Sequence, residues 1–199
     1  MSYAIALTGS HCVGKTTLVE ALKEKGFVVD ERSLSREAQK ALDWEDLSKA
    51  KESEKDMWEL QEAILDAMKV QVSEINLSQV PTIVTRGPAD IWAYTNLWTS
   101  KLDLQRGFES QPMLNRLLAY REECKILLLN YKEQIFVPIR KEIPYVAEKN
   151  RADEESRDRV DFLIQNFLFE EGNQRYRLSS LSVEDRVTEV SARVRAVKQ

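Results

Sequence analysis

The chain has 199 residues, a length that favours one domain with a sizeable core. Apolar residues make up 43% and charged residues 31%, and a net charge of -4 gives no bulk basic footprint for nucleic acid, although a local basic cleft stays open. With two cysteines (Cys12 and Cys124) and one histidine (His11), neither a disulfide framework nor a four-ligand zinc centre is expected, and a reduced, cytoplasmic setting is.

The first residues lack a basic segment, and their apolar run is cut at Thr8, Gly9 and Ser10, so no secretory signal is expected. No run of about 18 apolar residues occurs, so no membrane partner or membrane span is expected either. Residues 3–8 read as a first strand, and 16–25 as a helix closed by Gly26. A second strand is predicted at 27–30. Residues 53–77 carry Trp58, Ile64, Leu65, Met68, Val72 and Ile75 at near-helical intervals. A third strand is predicted at 82–85. Pro88 then opens a helix through residue 98, since proline costs nothing at the first helical position.

The polar stretch 100–111 reads as a surface excursion, and Pro112 opens a helix over 113–123. The apolar letters of 125–130 read as a fourth strand. Residues 153–171 form the clearest helix, with Val160, Leu163, Ile164, Phe167 and Leu168 in one stripe and Gly172 at its end. Residues 175–179 read as a fifth strand. Ser182 and Asp185 start a last helix whose stripe is Val187, Val190, Val194 and Val197. Strands alternating with helices imply an α/β fold with a mainly parallel sheet covered on both faces. Ligands then bind outside the carboxyl ends of the strands, so Thr8, Asp30, Thr85 and Asn130 are expected around one crevice.

Between the first strand and the first helix stands Gly9-Ser10-His11-Cys12-Val13-Gly14-Lys15-Thr16, which matches G-x-x-x-x-G-K-[ST] in the strand-to-helix context that the motif needs. The glycines let the backbone turn so that successive N–H groups face phosphate oxygens, and the helix adds the positive end of its dipole. Lys15 is expected to reach the β and γ phosphates, Thr16 to ligate Mg²⁺, and Thr17 to extend the ATP-binding set; His11 and Cys12 occupy variable positions that present backbone. Asn130-Tyr131-Lys132-Glu133 is too distorted for a guanine reader, and the third strand ends in Thr85 rather than in the acidic pair of a motor ATPase. The remaining class is a small kinase, which needs an acceptor pocket and a lid.

For the acceptor, the second strand ends Asp30-Glu31-Arg32. Glu31 is favoured as the base, with Asp30 as runner-up or substrate contact. Arg36 is a candidate for an acceptor phosphate or ribose. Arg86, after the third strand, is placed to clamp phosphate oxygens, and Asp90 either binds substrate or only favours its helix N-terminus. The charge run at 149–159 offers Arg151 and Arg157 as lid arginines over the triphosphate. Trp92, Tyr94 and Trp98 serve either as a base-stacking wall or as core.

In this order, GSHCVGKTT, DERSLSRE, IVTRGPADIWAY and NRADEESRDRVDFLIQNFLFEEGNQRYRLSSLSVEDRV resemble the P-loop small-molecule kinases and ATP-binding proteins related to ribosylnicotinamide kinase and, more distantly, the deoxynucleoside and nucleoside-monophosphate kinases. The resemblance spans nearly the whole chain. It implies one P-loop kinase domain over 1–199: a five-stranded parallel sheet with helices on both faces and a helical lid at about 138–160. It also implies ATP with Mg²⁺, an acceptor carboxylate at Glu31 or Asp30, and lid arginines at Arg151 and Arg157. A common form of the third-strand motif has Asp before Arg, whereas this chain has Thr85 before Arg86. The expected activity is transfer of the γ-phosphoryl group to a small nucleoside or nucleotide. Alternatives are a hydroxymethylated base in DNA, or a nucleotide-binding regulatory ATPase with little transfer; a homodimer is left open.

Overall fold

Ala4, Ile5, Ala6 and Leu7 are all 0% exposed, which a strand permits only when it lies inside a sheet covered on both faces. The computed structural model describes residues 3–78, 80–106, 111–145, 153–170 and 175–197. In chain order these form β1 (Ala4–Thr8), α1 (Lys15–Glu24), β2 (Val28–Asp30), α2 (Leu34–Ala41), a 3-10 turn (Leu47–Lys51), α3 (Glu54–Leu77), β3 (Thr82–Val84), α4 (Pro88–Arg106), α5 (Gln111–Leu128), β4 (Tyr131–Phe136), α6 (Glu154–Glu170), β5 (Arg175–Arg177) and α7 (Val183–Val197). The sheet order is β2-β3-β1-β4-β5 and every pairing is parallel. This is the expected five-stranded α/β architecture. No helix among the described residues is long and apolar enough to cross a membrane.

Strand alternation sorts the two faces. Ile5, Leu7, Ile83 and Ile135 pack against Leu18, Val19 and Leu22 of α1 and against Val187, Val190 and Val194 of α7. Ala4, Ala6, Val84 and Phe136 face α3, α4, α5 and α6. The small side chains on this second face let α4 start close to the sheet. A Cβ on Gly87 would lie 2.9 Å from Ala6 Cβ and 2.5 Å from Gln134 Oε1, so the turn into α4 accepts only glycine there.

Two expectations are corrected. The fourth strand is not 125–130. Tyr120, Cys124, Leu127 and Leu128 continue the buried stripe of α5, and Leu129 and Asn130 turn off its end through bonds to Ile126 and Leu127 at 3.2 and 3.0 Å. The strand is the polar-looking Tyr131–Phe136. Its crevice-facing end is therefore Phe136, and Asn130 lies at the opposite edge of the sheet. Likewise 100–111 is not an excursion throughout: α4 runs on to Arg106 and α5 begins at Gln111.

β4 tolerates the buried Glu133 because that carboxylate is answered from α7. Glu133, 1% exposed, accepts from Arg193 Nε at 2.8 Å and from Nη2, and the Arg193 guanidinium lies 4.8 Å from the Tyr176 ring centroid. Arg193→Met leaves a buried carboxylate without its cation and is expected to cost about 2 kcal/mol, less than a fully buried pair because Arg193 is itself partly exposed. Urea unfolding checks this, and an unchanged midpoint contradicts it.

Candidate functional site

The loop from Gly9 to Gly14 is shaped by its glycines. Gly9 has φ +154°, and a Cβ there would stand 2.5 Å from the Val137 carbonyl oxygen of the chain leaving β4. Gly14, at φ +82°, is the N-cap residue of α1 and offers no side-chain cap. The first-turn amides of α1 have no intrahelical acceptors, so Lys15, Thr16 and Thr17 present N–H groups for an anion. Cys12 adopts φ +55°, a conformation that a non-glycine residue pays for in strain of about 1 kcal/mol.

Lys15 is folded against its own loop. Its Nζ donates to the Gly9 carbonyl and lies 3.3 Å from Asp90 Oδ1. Burial pushes the ammonium pKa down, Asp90 opposes that shift, and Arg86 adds to it. Asp90 is 0% exposed and accepts the main-chain N–H groups of Gly9 at 3.0 Å and Gly87 at 2.8 Å. One carboxylate thus ties the phosphate loop, its lysine and the β3–α4 turn together. Of the two expectations for Asp90, helix-terminus support holds through Gly87; the carboxylate lies beneath the loop and is not on the cleft wall.

From the loop opens a cleft of about 1460 Å³. Ser10, His11, Cys12, Val13, Gly14, Lys15, Thr16 and Thr17, all expected ATP contacts, form its floor, and Arg86 stands on its rim. Gly9 acts from behind. The far wall comes from α2, α3 and α4, with Leu34, Gln39, Met57, Gln61, Tyr94 and Trp98. Gln61, 5% exposed, is oriented by the Thr95 hydroxyl, 2.8 Å from its Oε1. The three aromatics divide: Trp92 is core beside Phe167, ring centroids 6.3 Å apart, while Tyr94 and Trp98 line the cleft.

The structure does not bring the β2 carboxylates into this cleft. Glu31 is exposed and pairs with Lys23 of α1. Asp30 accepts from the Arg32 main-chain N–H at 2.9 Å, from Nε at 2.8 Å and from Nη2 at 2.6 Å. Burial raises its carboxyl pKa, but those bonds outweigh it and hold the group below the usual carboxylate range. Arg36 is exposed on α2 away from the cleft, while its neighbours Ser33 and Ser35 line it. Arg151 lies outside the described residues. Arg157 is 7% exposed, bonded to Glu154 at 3.1 Å and Asp158 at 3.4 Å, and its guanidinium stands 5.4 Å from the Tyr145 ring centroid. Among the described residues it reaches the cleft lining through Tyr145 and through its main-chain N–H, which donates to the Asp153 carbonyl at 3.0 Å.

Sequence reasoning missed the charged residues behind the loop. Arg186 of α7, 2% exposed, donates to the Val13 carbonyl at 3.3 Å and the Ser180 carbonyl at 3.1 Å. Arg140 holds the carbonyls of Leu178 and Ser179 at 2.7 and 2.8 Å. Glu189 accepts from the Tyr176 hydroxyl at 2.7 Å, the Ser179 hydroxyl at 2.7 Å and the Ser180 N–H at 2.9 Å. No local window signals these partners. Asp161, buried on α6, accepts from the Ile139 N–H at 3.3 Å, and burial raises its pKa.

Burial works against the Glu189 charge, but its donors prevail and the folded pKa falls to about 2. A depressed folded pKa means stability that is present above the unfolded value near 4.3 and lost as pH falls towards 2. The melting temperature of the wild type should therefore drop through that window more steeply than that of Glu189→Gln. Parallel profiles contradict the assignment.

These features fit a nucleotide triphosphate with Mg²⁺: a glycine-shaped cradle, uncapped first-turn amides, a lysine at the floor and the exposed Thr16 hydroxyl. Among the described residues no group of three or more His, Cys, Asp or Glu side chains gathers as a metal site, so an ion here depends on the phosphates for most of its ligands.

The profile of a family described as an AAA domain matches residues 4–186. No curated protein matches the chain. Among solved structures, deoxyadenosine kinase from M. mycoides with the products dCMP and a flexible dCDP bound is similar, with a TM-score of 0.67 at 14% identity over 97% of this chain and 99% of that one. The same kinase with bound dATP and with bound dCTP gives TM-scores of 0.64 at the same identity and coverage. The α/β P-loop kinase fold is thereby established.

Proposed function

The chain belongs to the AAA domain family, and from that premise we propose that it is an ATP-dependent kinase transferring the γ-phosphoryl group to a nucleoside- or nucleotide-type acceptor. The observation that carries the reading is the continuity of the cleft. A phosphate-loop floor runs without a break into a wall that combines aromatic faces, Tyr94 and Trp98, with the amides of Gln39 and Gln61. Such a wall suits a flat heterocycle with hydrogen-bonding edges. The deoxyadenosine kinase of like fold, with its bound nucleotides, supports the same class.

In this reading the amides at the start of α1 and the Lys15 ammonium take the charge of the phosphates, and Thr16 holds Mg²⁺. The metal supplies positive charge against the phosphate oxygens as transfer proceeds. Arg86 holds the acceptor or the transferred group. Neither β2 carboxylate lines the cleft as it stands; Asp30 is committed to Arg32, so the base role requires Glu31 to leave Lys23 and turn into the cleft, where it would take the acceptor's proton as the acceptor oxygen bonds to the γ-phosphorus and ADP leaves. Arg151 and Arg157 act from the lid, at about 138–160, of a single domain.

The test offers labelled ATP and Mg²⁺ with nucleosides, ribosylnicotinamide-type compounds, nucleotides and hydroxymethylated DNA, scoring phosphorylated product. Label on a nucleoside or nucleotide supports the proposal, and label on DNA moves it to the other acceptor. The pairing of Glu31 with Lys23 away from the cleft favours a second reading, a nucleotide-responsive regulator. Tight ATP binding with no product in any arm overturns the kinase in its favour.

A further inference from the structure

Arg186 of α7 reaches the phosphate loop from the buried side and is not among the residues that line the cleft. Its three guanidinium nitrogens fare differently. Nε donates to the Ser180 carbonyl at 3.1 Å, Nη1 donates to the Val13 carbonyl at 3.3 Å, and Nη2 is buried with no partner. Among the described residues no carboxylate stands within ion-pair distance of it. Glu189, three residues on, is occupied by Tyr176, Ser179 and Ser180. Burial pushes the Arg186 pKa down and the neighbouring Arg140 adds to that, while Glu189 and Glu142 oppose it.

Such a placement does little for the free fold. A buried cation without a counter-charge costs stability. This one also sits at the positive end of a helix dipole: a Cβ on Gly14, the N-cap residue of α1, would stand 3.2 Å from Nη1. A polyphosphate in front of α1 reverses both signs, because it supplies the missing negative charge.

The bond to Val13 also sets a direction. In a trans peptide the carbonyl and the following N–H point opposite ways. Arg186 holds the Val13 carbonyl towards the buried side, so the Gly14 N–H points to the cleft, which Gly14 lines. No acceptor among the described residues takes that N–H. The Ile143 side chain, 3.3 Å from the same Cβ position, closes the remaining space at Gly14. We propose that Arg186 is a positioning residue of the triphosphate seat: its hold on the Val13 carbonyl aims the Gly14 N–H at a phosphate oxygen, and its unpaired charge favours the anion-bound state over the free one. The role presupposes the polyphosphate seat of the kinase reading but not the identity of the acceptor.

Val13–Gly14 is the only Val–Gly pair in the sequence. Full-length protein labelled with ¹³C-carbonyl valine and ¹⁵N-glycine therefore gives one carbonyl–amide correlation, from this peptide alone. In wild type, a non-hydrolysable ATP analogue with Mg²⁺, or inorganic triphosphate, should move the Gly14 N–H downfield. In Arg186→Met the Val13 carbonyl should shift upfield already in the free protein, and the downfield response should shrink. The analogue should bind that variant about tenfold more weakly, the scale of losing one charge-assisted contact. Arg186→Lys keeps the charge without the fork, so it should bind better than the methionine variant and worse than wild type.

A Gly14 N–H unmoved by saturating analogue overturns the proposal. So does a methionine variant that melts lower yet binds and responds as wild type does, the mark of a purely structural arginine. Lysine and methionine variants of equal affinity overturn the role of the charge. The wild-type response and the lysine variant decide the matter even where the methionine variant does not fold. Calorimetry on the same samples separates the two readings: heat from the analogue with an unmoved Gly14 N–H overturns this inference alone, whereas no heat from the wild type overturns the polyphosphate seat as well.

Discussion

Lys15→Ala is expected to lower phosphoryl transfer by a factor on the order of 10² or more, the scale of losing one preorganised charge contact in a water-poor site. In the free protein the ammonium lies between the Gly9 carbonyl and Asp90. Both are acceptors that a polyphosphate outcompetes with several full negative charges. Burial disfavours the charged lysine and Asp90 restores part of it, so the site gains most from the cation when the anion is present. The variant should therefore lose ATP affinity and turnover together. Asp90 keeps its two main-chain donors, so the fold should survive. Steady-state kinetics with a thermal melt checks both halves. Wild-type transfer by the variant refutes the assignment.

Asp90→Ala should do the opposite and act first on stability, costing about 3–5 kcal/mol. It strands the buried N–H groups of Gly9 and Gly87 and leaves Lys15 facing Arg86 with only the weaker pull of Asp161 to oppose it. Asp90→Asn retains an acceptor for one of those donors and should lose about half as much. Both variants should bind ATP more weakly, because the loop's first residue is held by this side chain. Denaturant midpoints read the first effect and calorimetry the second. An alanine variant within about 0.5 kcal/mol of wild type means that the carboxylate is not the tie between loop and turn.

What the sequence revealed and concealed divides by distance along the chain. The phosphate loop was legible because its glycines are required by a local turn and a local clash, and α6 and α7 because their stripes repeat every few residues. β4 was not, since Glu133 and Gln134 look solvent-facing; the partner of Glu133 is Arg193, 60 residues away. The apolar letters of 125–130 belong instead to the end of α5. Asp90 read as either a substrate contact or a helix-terminus acid because its other partner, Gly9, lies 81 residues earlier. The carboxylates after β2 were visible as residue types. Glu31 is turned to the surface by Lys23, and Asp30 is held by Arg32, which Glu74 of α3 anchors from 42 residues further along the chain. Trp92 and Trp98 occupy one helix, each directly after an aliphatic residue, and packing of Trp92 beside Phe167 of α6 makes the first core while the second lines the cleft.

The central claim is that Gly9 to Thr17 forms a seat for a nucleoside triphosphate. Titrating a non-hydrolysable ATP analogue with millimolar Mg²⁺ into wild type and Lys15→Ala tests it most directly. The account predicts saturable heat for the wild type and binding at least tenfold weaker for the variant. No heat from the wild type, or the same affinity in both, contradicts it.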